Sequence, residues 1–176
     1  EKLRRLGYEW VVDGDIKAYF DHVRHDLLLR KLEPFVDDGT WALVALWLQG
    51  FDDDGLGIPQ GSPISPLLSN LYLDEVDEQI ESEQVRLVRF ADDFLLLTRS
   101  KPQAERALHH MARLLEQHGL ELHPDKTHIR SYEEAFRFLG KLFVRSLVVD
   151  SPKSKQISRA SRKPITDNER IAVEPL

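Results

Sequence analysis

Two adjacent carboxylates, Asp92 and Asp93, separate two apolar runs at residues 85–91 and 94–98. Two residues between two strands is hairpin spacing, although Asn-Gly or Asp-Gly is the usual tight-turn pair. Side by side at a hairpin tip the two groups repel, at a cost that solvent or a cation must offset. Alone, an Asp-Asp in a turn is ordinary turn chemistry. A third carboxylate, Asp15, closes the β-branched and aromatic run at residues 10–16. If that strand lies beside the hairpin, Asp15 and Asp92 converge on the hard-oxygen cluster that magnesium prefers. Two such ions about 4 Å apart can activate a 3′-hydroxyl and stabilise a departing pyrophosphate.

A second kind of chemistry resides in Gly57-Ile58-Pro59-Gln60-Gly61-Ser62-Pro63-Ile64-Ser65-Pro66-Leu67-Leu68. Glycine lets backbone approach a ligand, the prolines stiffen the loop, and Gln60 offers an amide. The loop runs into a helix start, where phosphate and sugar groups are well received.

The elements that must position these groups follow from periodicity. Residues 10–16, 85–91 and 94–98 read as strands, and residues 120–123 and 127–130 as shorter ones. Residues 136–144 read as a further strand or tight hairpin. Helices are expected from His25 to Phe35, from a Thr40 cap through Leu48, from about Leu67 to Ile80, and from Pro102 to a Gly119 cap. That order predicts an α+β fold, a small antiparallel sheet with helices packed on one face.

The 176 residues carry a net charge of −6, unevenly. Residues 1–150 hold 18 Lys or Arg against 27 Asp or Glu, a net −9, whereas residues 151–176 hold six against three. An acidic body suits a domain that holds divalent cations and leaves most of a phosphate grip to be made elsewhere. There is no cysteine, which excludes disulfides and thiolate metal sites and fits a reducing cytosol. No run of 18 apolar residues is present, so no membrane partner is expected, and Glu1-Lys2-Leu3-Arg4-Arg5 does not read as a signal peptide.

Taken together the pieces resemble the palm of reverse transcriptases. Asp15-Ile16-Lys17-Ala18-Tyr19-Phe20-Asp21 is similar to their first motif, and residues 57–73 to the second. Phe90-Ala91-Asp92-Asp93 resembles the tyrosine-x-Asp-Asp box, Leu120-Glu121-Leu122-His123-Pro124-Asp125-Lys126-Thr127 the fourth motif and Phe138-Leu139-Gly140 the fifth. The wording of Pro59-Gln60-Gly61-Ser62-Pro63-Ile64-Ser65-Pro66 resembles the bacterial group-II-intron-like branch, which includes intron maturases, retron-like enzymes and CRISPR-associated reverse transcriptases.

The resemblance implies an RNA-directed DNA polymerase of the bacterial cytoplasm, with an RNA template, a DNA or RNA primer and dNTPs as partners. A fused or neighbouring integrase or maturase domain is a further implied partner. Asp15, Asp92 and Asp93 become the carboxylates for two Mg2+ ions, with Mn2+ as an alternative, and Asp15 and Asp92 as the direct ligands. The backbone of Ile16 and Lys17 is expected near the triphosphate, and Gln60 and Gly61 near the incoming nucleotide or template. Phe20 becomes the steric gate against a 2′-hydroxyl, and Lys126 the general acid for pyrophosphate. Phe138-Leu139-Gly140 becomes the grip under the primer end.

Phe90 stands where the family usually has tyrosine. Residues 1–150 are expected to form the palm, with fingers and thumb largely absent, and residues 151–176 a basic linker or tail. A reverse-transcriptase-like scaffold without catalysis is the rival reading; an RNA polymerase or nucleotide cyclase would ask for a small or polar residue at position 20. Structural roles are expected for the remaining candidates. His22 and His25 read as surface or capping residues without a third zinc ligand, and His109 and His110 as solvent-facing on different sides of their helix. Asp13 shares a strand face with Asp15 and reads as structural, Asp52-Asp53-Asp54 as a solvated turn, and the Trp41 and Trp47 helix as core.

Overall fold

The structure, a computed structural model, describes residues 2–51, 54–144 and 147–150. Asp52, Asp53 and the basic tail at residues 151–176 lie outside the described residues. Four strands form the main sheet: β1 (Trp10–Asp15), β2 (Val85–Phe90), β3 (Asp93–Thr98) and β4 (His128–Ser131). Their order is β2-β3-β1-β4, and every neighbouring pair is antiparallel. The helices are α1 (Lys2–Arg5), α2 (His25–Leu32), α3 (Asp38–Gln49), α4 (Ser65–Ile80) and α5 (Lys101–Gln117). The architecture is the α+β palm expected from the element order.

Strand alternation sorts the sheet into two faces. Val12, Phe94 and Leu96 point one way into the main core, where they meet Leu68, Tyr72 and Val76 of α4 and Ala107, Met111 and Leu115 of α5. Each large side chain buried there stabilises the fold by roughly 1.5–3 kcal/mol. Val11, Leu95 and Leu97 point the other way into a smaller cluster with Tyr8, Tyr132, Phe136 and Phe138. That cluster is roofed by a second antiparallel sheet, β5 (Phe136–Phe138), β6 (Lys141–Val144) and β7 (Leu147–Asp150). Residues 136–144 are therefore a tight hairpin, turning on Leu139 and Gly140 at φ 50° and 72°.

Local chemistry explains several boundaries. α5 ends in a Schellman pattern: Leu120 N–H donates to Leu115 O, Gly119 N–H donates to Glu116 O, and Gly119 takes φ 73°. α3 is capped by Asp37, whose carboxylate accepts from Thr40 N–H at 3.0 Å, so Thr40 is the capped residue and not the cap. α4 starts at Ser65, with Pro66 in its first turn. Residues 120–123 form no strand, only a single bridge from Leu122 to Ile16, because the chain turns at Pro124. The core of α3 is Val44 and Leu48; Trp41, Leu43 and Leu46 face outward, so this helix is less buried than its two tryptophans imply.

Candidate active site

The hairpin tip is Ala91-Asp92, one residue earlier than the Asp-Asp pair suggests, because Asp93 opens β3 and pairs with Phe90. Ala91 sits in the left-handed region at φ 54°, a conformation costing a non-glycine residue roughly 1–2 kcal/mol. The offset sets Asp93 directly across from Asp15, at the last register position of β1 and β3. Asp92 follows at the turn, its carbonyl accepting from Ile16 N–H at 3.1 Å. Gly14, the residue between Asp13 and Asp15, faces Phe94; a Cβ there would stand 2.4 Å from the ring.

The fourth member comes from the loop after α5. His123 N–H donates to Asp15 O at 2.8 Å, and Lys17 N–H donates to Glu121 O at 2.9 Å. The turn that follows delivers Lys126, whose Nζ lies 2.9 Å from Asp15 Oδ2. Asp15 itself is buried, at 8% exposure. The Asp93 carboxyl is pushed up from its ordinary value, first by burial and then by the Asp92 and Asp15 charges, with Lys126 opposing. The Lys126 ammonium is held above its ordinary range, chiefly by its hydrogen bond to Asp15. Asp15, Asp92, Asp93 and Lys126 thus form one electrostatic unit.

The donor chemistry fits a hard divalent cation: three carboxylates on one corner of the sheet, one of them buried and one destabilised by the others. As they stand, no three His, Asp or Glu side chains among the described residues enclose a single ion, and Lys126 occupies one Asp15 oxygen.

The other sequence candidates are distributed around this corner. Ile16 is buried and its amide is engaged by Asp92, as the Lys17 amide is by Glu121, so neither amide is free for a phosphate in this arrangement. The Lys17 side chain makes an exposed contact of 3.5 Å with Glu121, of the kind that contributes little to stability. Phe20 follows Tyr19 in a short 3-10 turn entered through left-handed Ala18. Tyr19 is fully buried, with its hydroxyl donating to Ser69 O at 2.6 Å. Phe20 is only half-buried, its ring packed in part against the main core. Gln60 and Gly61 form an exposed turn before α4, and Gln60 makes no hydrogen bond among the described residues.

Two supports stand outside the sequence expectations. His25 is buried, not a surface residue; its ring donates from Nε2 to Gly57 O at 2.6 Å and ties the Pro-Gln-Gly loop to α2. His22 is exposed, with its ring Nδ1 2.9 Å from Ala18 O. Arg89 forks onto both oxygens of Asp77 on α4, and also donates to Asn70 Oδ1 and Ala91 O, each at 3.2 Å. That clamp fixes the strained hairpin tip against α4. Its signal was available: Arg89 shares the core-facing side of β2 with Val85 and Leu87, and a cation on such a face requires a partner.

The fold and this corner together define a polymerase palm of the reverse-transcriptase class. Residues 2–143 match the family model for reverse transcriptase (RNA-dependent DNA polymerase), and the chain belongs to that family. Protein YkfC of Escherichia coli is 31% identical over 77% of this chain and 47% of its own length. The retrovirus-related Pol polyprotein from the type-1 retrotransposable element R2 of Popillia japonica is 32% identical over 71% of this chain and 25% of its own. The group II intron-encoded protein LtrA of Lactococcus lactis is 35% identical over 41% of this chain and 13% of its own. These matches support the intron-like branch. Apo telomerase from Candida tropicalis shares the fold over 90% of this chain and 35% of its own, with a TM-score of 0.65 at 16% identity. The chain spans about half the length of YkfC and a smaller share of the other relatives.

Proposed function

We propose that this palm carries out templated addition of deoxynucleotides to a primer end, on an RNA template. The observation that carries the reading is the register pairing Asp15 with Asp93 beside Asp92, with Lys126 seated on the same cluster. Asp15, Asp92 and Asp93 are the residues to hold two Mg2+ ions, or Mn2+ in their place. When bound, such ions neutralise charge on the attacking 3′-oxygen and on the leaving pyrophosphate.

The protein's own groups do the rest. Lys126 holds its proton at Nζ through the carboxylates around it and is the donor for the leaving pyrophosphate oxygen. The half-open Phe20 ring excludes a ribose 2′-hydroxyl by occupying its space. Gln60 supplies a free amide for the nucleotide or template. The hairpin tip at Leu139-Gly140 supports the primer end. A group-II-intron-like or CRISPR-associated element is the biological setting in this reading, with a fused or neighbouring integrase or maturase as partner.

The test is primer extension on an RNA template with Mg2+, using the palm within its full-length protein beside Asp92→Asn. Extension that the substitution abolishes supports the reading. A folded full-length protein that binds template yet extends no primer would leave only the scaffold role.

A further inference from the structure

On the opposite side of the sheet from the carboxylates, a cavity of about 520 Å³ opens between the end of α4, the start of β2 and the outer face of α5. Its walls include Gln79, Gln84, Arg106, His109, His110 and Arg113. His109 and His110 therefore line one groove and do not diverge to opposite sides of the helix. Arg106, His110 and Arg113 stand at i, i+4 and i+7, a single stripe along α5, with the backbone positions of the two arginines two turns or about 10 Å apart along the axis.

Three observations set this groove apart. First, no carboxylate lines it, in a body whose residues 1–150 carry a net −9. Glu81 and Glu83 belong to the same loop as Ser82 and Gln84 but do not form its walls. Second, neither Arg106 nor Arg113 has an ion-pair or hydrogen-bond partner among the described residues, whereas Arg24 and Arg89 are each forked onto an aspartate. Third, the side chains between them are planar: His109 and His110 both line the groove, and His109 is fixed by its Nδ1–H to Glu105 O at 2.7 Å.

We propose that this groove binds single-stranded RNA, with Arg106 and Arg113 on phosphates and the histidine rings against unpaired bases. It is a second nucleic-acid contact, behind the palm and independent of the carboxylate corner. Two unpaired cations flanking stacking rings match a phosphodiester strand; a bare anion would use the charges and leave the rings idle.

The experiment is salt-dependent fluorescence anisotropy of the full-length protein on a labelled single-stranded RNA, beside Arg106→Ala/Arg113→Ala. Alanine is the best helix former and both sites are exposed, so the melting temperature should be unchanged. The double variant is expected to lower the slope of log affinity against log salt by about 1.4, roughly 0.7 for each phosphate released. Arg106→Lys/Arg113→Lys should restore most of that slope. Primer extension on a short template should stay within about twofold of the parent, since two exposed side chains on the far face touch none of the reacting groups. Unlabelled RNA and polyglutamate serve as competitors; polyglutamate, which has charges but no bases, should displace the labelled strand less well than unlabelled RNA does. An unchanged slope, a loss of extension equal to the loss of binding, or preferential displacement by polyglutamate would each overturn the assignment.

Discussion

Lys126 Nζ lies 2.9 Å from Asp15 Oδ2, a contact spanning 111 positions of sequence. The ammonium offsets part of the charge that Asp15, Asp92 and Asp93 accumulate. Asp15 is nearly buried, so its share of the contact is weakly screened, while Lys126 reaches in from an exposed loop. Lys126→Ala should lower kcat by about 10²-fold or more, the usual worth of a positioned proton donor. Its Mg2+ midpoint should not rise, because a competitor for Asp15 has been removed. A wild-type kcat by single-turnover kinetics would take Lys126 out of the mechanism.

Phe20 sits on the 3-10 turn immediately after fully buried Tyr19, and their rings are 5.3 Å apart. Buried Tyr19 is thus a fixed packing partner of the Phe20 ring. Phe20→Ala should raise the use of ribonucleotides relative to deoxynucleotides, read as the ratio of kcat/KM for the two. An unchanged ratio removes the gate role from this residue.

Arg89 couples the hairpin tip to α4 through Asp77, Asn70 and Ala91 O. Removing one partner of a largely buried pair strands the other charge, at about 3–5 kcal/mol when fully buried and less here because Asp77 is partly exposed. Arg89→Met should therefore lower stability by about 2 kcal/mol or more in urea unfolding, and reduce kcat beyond what the folded fraction explains. Arg89→Lys keeps the charge but loses the fork, and should fall between the two. A parent-like kcat in the folded Met variant would confine the clamp to stability.

Asp13 shares a face with Asp15 but stands opposite His128 on β4. Its carboxyl is raised above the ordinary value of 3.8, first by burial, with Arg130 and His128 pulling the other way. A raised carboxyl binds its proton more tightly folded than unfolded, so this contribution is complete below pH 3.8 and is lost as pH rises through the folded value. At neutral pH the ionised group is then a net cost. Asp13→Asn should raise the melting temperature at pH 7, and the difference should shrink towards zero as pH falls below about 4. A gain that persists undiminished at pH 3 would point to packing instead of charge.

The strands of the main sheet were legible because their apolar runs are bounded by acids, glycines and turn residues. The convergence of Asp15 with the Asp-Asp pair was legible on the condition that β1 lies beside the hairpin, although Asp93 and not Asp92 is the residue set across from Asp15. The exact tip was not: placing Ala91 in a left-handed conformation moves the turn back by one and gives Asp93 to β3. Nothing in an alanine advertises that. Residues 120–123 alternate like a strand, but only Leu122 makes a bridge. The two tryptophans of α3 read as core, and Trp47 does pack against the main core, whereas Trp41 is exposed. His25 was illegible because its partner is a backbone carbonyl 32 residues away, and carbonyls leave no mark in a sequence.

Gly14 against Phe94 bears on how the sheet avoids error. Sliding β1 by one residue in either direction would bring Asp13 or Asp15 against that ring, a carboxylate forced into a space with no room even for a methyl group. The same slip would turn Asp13 and Asp15 towards the helices and Val12 away from them. The two outcomes penalise the same mistake, because a chain that mispairs here drives a carboxylate into the apolar layer and loses its chemistry with it. A folded molecule of this kind is, for that reason, one whose carboxylates already face the right way.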